Sequence, residues 1–235
     1  MYLLGYDLGS SSVKASLINA ESGLCVASAF YPKKEMKISA PKSDWAEQDP
    51  ELWWSNLILA TNDVLQSAEI DPSSVRAIGV AYQMHGLVLV DKNHELLRSS
   101  IIWCDSRAVS LGENAMNSIG NEQCLSHLLN SPGNFTASKL SWVIENEPEV
   151  YEKAYKFMLP GDYIAMKLTG EINTTISGLS EGIMWDFKEN SIASSRQEFA
   201  SATFAPKSMI FPAIAKRIAV RSRLSESITI CFNLG

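Results

Sequence analysis

The chain has 235 residues, of which 46% are hydrophobic and 20% are charged, so it can bury a core and is unlike disordered, collagen-like or fibrous sequences. Twenty Lys and Arg side chains against 26 Asp and Glu side chains give a net charge of −6, which does not favour binding to nucleic acid or to an anionic membrane. We therefore expect a globular protein whose partners are neither nucleic acids nor membranes.

The N-terminal residues lack the features of an export signal. No basic residue precedes Asp7, which excludes the charged start of a signal peptide. The longest apolar stretch, residues 77–90, is interrupted by Gln83 and His85 and is shorter than the roughly 20 apolar residues that cross a bilayer. The four cysteines contain no Cys-x-x-Cys pair, so neither a zinc site nor a disulfide framework is indicated. These features predict a cytoplasmic protein with reduced thiols.

The N-terminal part of the chain predicts a β-meander followed by a helix. Three apolar stretches, residues 2–7, 13–19 and 24–31, are separated by tight turns and are therefore expected to form antiparallel neighbours. After a polar loop, the Asp49-Pro50 pair supplies an N-cap acid and a proline for the first helical position. Apolar residues then recur at helical spacing over residues 50–68.

A mixed pattern of strands and helices follows. Residues 75–82 form a β-rich apolar run that predicts a buried strand. Shorter strands are predicted over residues 87–90 and 101–103, and helices are predicted over residues 106–117, 122–129, 139–146 and 160–168. This order predicts an α/β fold with a mixed sheet, although the pattern alone does not specify the topology.

The first candidate site is the segment Gly5-x-Asp7-x-Gly9-Ser10-Ser11-Ser12-x-Lys14, which spans the first hairpin. Glycine lets the backbone approach a phosphate, amides and hydroxyls donate to its oxygens, and a carboxylate can hold hydrated magnesium. Lys14 adds a positive charge near the turn. A β-turn capped by Asp and Ser explains the same residues equally well.

The second candidate is Gln83-Met84-His85-Gly86, which directly follows the buried strand. Ligands of open α/β sheets bind beyond the carboxyl ends of the strands, where Gln and His can hydrogen-bond sugar hydroxyls and Met can pack on the carbon skeleton. The alternative is that His85 is a partly buried histidine with a structural role in a turn.

Two tryptophan-containing segments are also compatible with sugar binding: Trp45-x-Glu47-Gln48-Asp49-Pro50-x-x-Trp53-Trp54 and Trp103-x-Asp105-x-Arg107. Sugars stack on aromatic rings and hydrogen-bond to nearby acids and amides. Trp53 fits the buried face of the predicted helix as well, and Asp105 with Arg107 fits a surface ion pair of little energetic weight.

Four further segments complete the pattern: Thr136-Ala137-x-Lys139-Leu140-x-Trp142, Leu159-Pro160-x-Asp162-Tyr163, Thr169-Gly170-Glu171 and Gly182-x-Met184-Trp185. Together and in this order, the segments resemble the FGGY carbohydrate kinases over residues 1 to about 187. The Gln-Met-His-Gly quartet is closest to the xylulose kinase branch. One departure is Asn134, where the family usually has Gly, Ser, Met or an aromatic residue.

The resemblance implies a ribonuclease-H-like fold, shared with actin and hexokinase, in which helices cover both faces of a mixed sheet. It also implies transfer of the γ-phosphoryl group of ATP to a sugar, from D-xylulose to D-xylulose 5-phosphate, with Mg²⁺. L-ribulose, gluconate, L-fuculose and glycerol are alternative acceptors, and family members are often homodimers. By the same resemblance, Asp7 helps to hold Mg²⁺, and the other site residues divide into a phosphate-facing set (Gly9, Ser10, Ser11, Lys14) and a sugar-facing set (Met84, His85, Trp103, Asp105).

The catalytic base of this family is an Asp of a second, ATP-binding lobe, and no Asp follows Asp186 in this sequence. We therefore expect residues 1–195 to form the N-terminal lobe only, with the base beyond the chain. Residues 196–235 carry six basic and two acidic side chains and no glycine before Gly235, which predicts a divergent or frame-shifted, poorly packed tail. A non-catalytic module that binds sugar or phosphate is the alternative function.

Overall fold

A computed structural model describes residues 1–193 and the backbone of residues 218–222 and 225–232. The strands are β1 (Tyr2–Leu8), β2 (Val13–Asn19), β3 (Cys25–Tyr31), β4 (Glu47–Gln48), β5 (Val75–Tyr82), β6 (Val88–Val90), β7 (Ser100–Ile101), β8 (Lys156–Met158), β9 (Trp185–Asp186), β10 (Ser191–Ile192), β11 (Ile218–Ser222) and β12 (Ser225–Phe232). The α-helices are α1 (Pro50–Ser67), α2 (Val109–Ile119), α3 (Asn121–Gln123), α4 (Thr136–Asn146), α5 (Pro148–Lys153), α6 (Pro160–Thr169) and α7 (Ile176–Glu181). Within this part of the chain, no helix combines the length and apolarity needed to cross a membrane.

The main sheet has six strands in the order β11-β12-β5-β1-β2-β3. β1, β2 and β3 pair antiparallel, which confirms the predicted meander. β5 pairs with β1 in parallel, with Tyr82 opposite Leu8 at the end of both strands. β12 is parallel to β5, and β11 is antiparallel to β12. The sheet is therefore mixed, as predicted, and β1 and β5 end at the same edge.

Helix α1 packs on this sheet through one apolar stripe. It begins where predicted because the Asp49 carboxylate accepts a hydrogen bond of 2.9 Å from the Glu51 backbone N–H and Pro50 occupies the first turn. The stripe recurs at helical spacing and is buried throughout, at Trp53, Leu57, Ala60 and Val64. Burying each large side chain of such a stripe contributes about 1.5–3 kcal/mol, which fixes the helix against the meander.

The structure describes a helical layer on one face of the sheet. Helix α6 lies beside α1, with the ring centroids of Trp53 and Tyr163 6.5 Å apart. Both rings belong to the same core as Tyr6 of β1. On the opposite face of β1, Leu3 and Asp7 are exposed.

The helix predicted over residues 122–129 has a different form. Only α3 is α-helical, and residues Cys124–Leu128 form a π-helical turn that ends at Leu129 with a φ of 61°. Cys124, His127 and Leu128 are all buried. This wider turn brings the His127 Nδ1 atom to 2.9 Å from both carboxylate oxygens of Asp186.

The predicted tail, residues 196–235, falls largely outside the described residues. The backbones of β11 and β12 lie within it and join the main sheet. The packing predicted for the rest of the tail concerns residues that lie outside the described part.

Asp162 is a buried carboxyl in the first turn of α6. Its Oδ2 atom accepts hydrogen bonds from the Leu159 backbone N–H at 3.2 Å and from the Thr174 hydroxyl at 3.0 Å. Burial raises the pKa of Asp162 to about 7 despite these bonds, and the nearby Glu181 carboxylate acts in the same direction. The folded protein therefore holds this carboxyl as a neutral acid in mildly acidic solution.

The raised pKa of Asp162 predicts that the free energy of unfolding falls as pH rises. The unfolded chain ionises Asp162 near its ordinary pKa, so between that value and about 7 the folded state binds the extra proton and loses stability with increasing pH. From about pH 4 to pH 8, urea denaturation should show the wild type losing about 4 kcal/mol relative to Asp162→Asn. The exposed control Asp44→Asn should keep the wild-type profile. Superimposable profiles for wild type and Asp162→Asn would contradict the neutral carboxyl.

Candidate functional site

The candidate site lies at the edge of the sheet where β1 and β5 both end. The Gln83 backbone N–H donates a 2.8 Å hydrogen bond to the Leu8 carbonyl, which continues the parallel pairing into the following loops. Two segments are therefore adjacent: residues Gly9–Ser12, called here the phosphate turn, and residues Gln83–Gly86, called the sugar loop. The carboxyl ends of parallel strands are where α/β proteins bind ligands.

The phosphate turn is closed by its own backbone. The Gly9 N–H donates to the Ser12 carbonyl at 3.0 Å, and a Cβ at Gly9 would lie 3.1 Å from that oxygen, so a side chain there would crowd the turn. The Ser11 hydroxyl donates to the Glu35 carboxylate at 3.3 Å. Glu35 therefore places a negative charge beside the turn. This residue was not part of the sequence motif.

Asp7 and Lys14 face each other across β1 and β2. The Lys14 Nζ atom lies 3.0 Å from Asp7 Oδ2, and both side chains are more than half exposed. An exposed ion pair stabilises by only about 0–1 kcal/mol, so it opens readily.

Asp7 fits a magnesium ion held together with phosphate. The described contacts occupy only the Oδ2 atom of this carboxylate. Magnesium is commonly bound by one or two carboxylates, water and substrate phosphates. Residues 1–193 contain no group of three or more His, Cys, Asp or Glu side chains arranged to hold a metal without such help.

His85 is the most tightly constrained residue of the sugar loop. Its backbone is left-handed, with a φ of 58°, which is unfavourable for a non-glycine residue. Its backbone N–H donates to Glu181, its ring Nδ1 lies 2.8 Å from Glu181 Oε1, and its ring meets Phe135 edge-on at 4.0 Å. Met84, the preceding residue, is 47% exposed.

Lys139, on helix α4, hydrogen-bonds to the backbone of the sugar loop. Its side chain is fully buried and its Nζ atom donates to the His85 carbonyl at 2.7 Å. Burial lowers the pKa of Lys139 to about 8, although the Asp105 and Glu181 carboxylates oppose that change. The His85 backbone is thus held by the side chains of Glu181 and Lys139 from two helices.

Trp103 contacts the phosphate turn through its indole. Its indole is 48% exposed, and its Nε1–H donates to the Ser10 hydroxyl at 3.3 Å. An exposed indole in contact with the phosphate turn is available both to stack on a sugar ring and to position Ser10.

Asp105 is two residues after Trp103 and is surrounded by protein groups. It is completely buried and accepts hydrogen bonds from the Ala46 N–H at 2.6 Å and from the Arg107 guanidinium at 2.7 Å. The alternative of a surface ion pair is therefore wrong, because both side chains of this pair are buried. Direct contact between Asp105 and a sugar requires displacement of these donors, and such a contact stays a prediction.

The first tryptophan segment has a structural role. The Arg107 guanidinium lies 3.7 Å from the ring centroid of Trp45 and 4.8 Å from that of Trp142. The same guanidinium forms an ion pair with Glu47 at 2.8 Å. Trp53 is fully buried in the core. Neither Trp45 nor Trp53 is therefore placed to stack on a sugar.

Three buried acceptor oxygens around His85 have no hydrogen-bond partner within the described part of the chain: Gln83 Oε1, Asn134 Oδ1 and Glu181 Oε2. A buried acceptor left without a donor costs about 1–3 kcal/mol. Hydroxyl groups of a ligand are donors of the kind that would satisfy these acceptors.

Some residues of this site were not assigned a role from the sequence. Glu181 immediately precedes the Gly182-x-Met184-Trp185 segment, so its position next to that segment was the available signal. Asn134 was visible only as a departure from the family pattern, and its amide nitrogen donates to the Asp105 carbonyl. Lys139 lies in a recognised segment, but its contact with His85 spans 54 residues and is invisible in the sequence.

The fold agrees with the comparisons to known proteins. Residues 2–227 match the model of the N-terminal domain of the FGGY family of carbohydrate kinases, and the chain belongs to this family. The match extends into the basic tail that begins at residue 196.

Among the relatives, the xylulose kinases of Klebsiella pneumoniae and Escherichia coli (strain K12) are 38% and 37% identical over 187 residues. These alignments cover 79% of this chain and 36% of each relative. The chain thus spans about a third of the length of these relatives.

A solved xylulose kinase from Brucella ovis superposes on the whole chain with a TM-score of 0.85 at 27% identity, covering 49% of that protein. The glycerol kinase of Plasmodium falciparum, solved with ADP, shares the fold with a TM-score of 0.83 at 19% identity. The fold is therefore the ribonuclease-H-like fold of the sugar kinases, as predicted.

Proposed function

We propose that this chain forms the sugar-binding and phosphate-facing lobe of an ATP-dependent kinase in the cytoplasm that converts D-xylulose to D-xylulose 5-phosphate. The observation that carries the proposal is the group of three unpartnered acceptor oxygens on Gln83, Asn134 and Glu181, together with the backbone bond of Gln83 to Leu8, the residue before the phosphate turn. A sugar hydroxyl bound there lies next to the segment that would face the phosphates of ATP.

The sugar side of the proposal rests on the chemistry of the sugar loop. The acceptors of Gln83, Asn134 and Glu181 suit hydroxyl donors, and exposed Met84 and Trp103 suit the carbon skeleton. Relatives named xylulose kinase supply the choice of D-xylulose. Glycerol, gluconate, L-ribulose and L-fuculose are alternative acceptors, since motifs do not encode the stereochemistry of single hydroxyl groups.

The phosphate side rests on the turn and its charges. The Gly9–Ser12 backbone and the Ser10 and Ser11 hydroxyls would face phosphate oxygens, and Lys14 adds a positive charge once its bond to Asp7 opens. Asp7 would hold Mg²⁺, which neutralises phosphate charge when it is bound. Phosphoryl transfer requires mainly an in-line arrangement of the two substrates and electrostatic stabilisation.

A general base for the sugar hydroxyl is the remaining requirement. The Asp105 oxygens are occupied by protein donors, Asp7 is assigned to Mg²⁺ in this proposal, and Glu181 Oε1 holds His85. We infer that the base is supplied from outside this chain. A non-catalytic module that binds sugar or phosphate is the second candidate, and this occupation of the carboxylates favours it for the isolated chain.

Calorimetric titration with D-xylulose tests the sugar site. We expect His85→Ala to weaken binding by at least about tenfold, because it removes the ring and loosens the loop that carries the acceptors. The matched control is His94→Ala, since His94 also has a positive φ, 66°, but lies in the turn after β6. An unchanged affinity for His85→Ala would remove this residue from the site.

Incubation with Mg-ATP and D-xylulose tests whether the chain catalyses the reaction alone. We expect ADP release at the background rate of Mg-ATP hydrolysis without sugar, because we infer that the base is supplied from outside this chain. Sugar-dependent ADP release would show that the base lies within this chain.

A further inference from the structure

Gln48, the last residue of β4, lies between the phosphate turn and the sugar loop. It is 2% exposed. Its Nε2 atom donates to the Ser10 carbonyl at 2.6 Å, and its Oε1 atom accepts from Gln83 Nε2 at 3.3 Å. One buried amide thus contacts both segments of the candidate site.

The orientation of the Gln48 amide is fixed by chemistry. The indole of Trp53 can only donate, and its Nε1–H lies 3.1 Å from Gln48 Oε1. The Ser10 carbonyl can only accept, so the other end of the amide must be the NH₂ group. A flipped amide would place donor against donor and acceptor against acceptor.

This orientation determines the orientation of Gln83. Because Gln48 presents an acceptor to it, Gln83 must turn its own NH₂ group toward Gln48. Its Oε1 atom is then the free end of the amide, buried and without a partner among the described residues. Gln83 therefore offers an acceptor and no competing donor from that position.

We propose that Gln48 is a positioning residue that fixes the placement of the phosphate turn relative to the sugar loop and makes Gln83 a hydrogen-bond acceptor for a ligand hydroxyl. The choice of a sugar as ligand rests on the proposed function, whereas the positioning of Ser10 does not. Trp103 supplies an independent reporter, because its indole N–H contacts the Ser10 hydroxyl.

Three variants separate this role from simple filling of the core. Gln48→Met removes every bond of the amide. Gln48→Glu keeps an acceptor for Trp53 and Gln83 but places a carboxylate oxygen against the Ser10 carbonyl. Gln83→Met removes the acceptor while leaving the bonds of Gln48 to Ser10 and Trp53. Thr61→Val is the control, because it removes a buried hydrogen bond of 2.7 Å to Tyr6 on the inner side of α1.

The experiment combines nitrogen–proton NMR of the indole groups, calorimetry with D-xylulose, and thermal unfolding of the same samples. We expect Gln48→Met to shift the Trp53 and Trp103 indole signals and Gln48→Glu to shift that of Trp103. We also expect both Gln48 variants and Gln83→Met to weaken D-xylulose binding by about tenfold. Thr61→Val should lower thermal stability but leave the Trp103 signal and the affinity within about twofold of wild type.

Folded Gln48 variants that keep the wild-type Trp103 signal would overturn the positioning role, whatever their thermal stability. An unchanged affinity in Gln83→Met would overturn the acceptor role. If wild-type protein does not bind D-xylulose, the proposed sugar is wrong, and the Trp103 signal of the Gln48 variants then decides the positioning role.

Discussion

The parallel pairing of β1 with β5 is the constraint on which the candidate site depends. It ends both strands at one edge and places Gln83 in hydrogen-bond contact with Leu8. The phosphate turn and the sugar loop, more than 70 residues apart in the sequence, become neighbours for this reason. The core formed by α1, α6 and the inner face of the sheet holds this pairing in place. Proximity of these two segments is therefore a property of the fold.

The candidate site contains a backbone conformation and buried polar groups that are each unfavourable for folding. Contacts with the surrounding residues hold them in place. His85 has a left-handed backbone, Lys139 is fully buried, and three acceptor oxygens lack donors among the described residues. Backbone strain costs about 1–3 kcal/mol and each unsatisfied buried acceptor a similar amount. Such costs are typical of a preorganised binding site, in which a ligand supplies the interactions that the protein lacks.

The sequence predicted much of the fold because its signals are local. Turn residues marked the meander, Asp49-Pro50 marked the start of α1, and the periodic apolar stripe marked its buried face. The site was predicted less completely, because its contacts join distant segments. The motif identified His85 but did not show that Glu181 and Lys139 hold it, and the spacing of Asp105 and Arg107 did not reveal that this pair is buried. The π-helical turn was missed because its spacing departs from the helical period.

The most direct test of the central claim, that the two segments form one ligand site, is to map D-xylulose binding by backbone amide NMR. The account predicts that the largest signal changes fall on Met84, His85 and Gly86, with further changes at Trp103 and in the Gly9–Ser12 turn. Changes concentrated elsewhere, for example in α2, would contradict it, as would the absence of any change at a saturating concentration of the sugar.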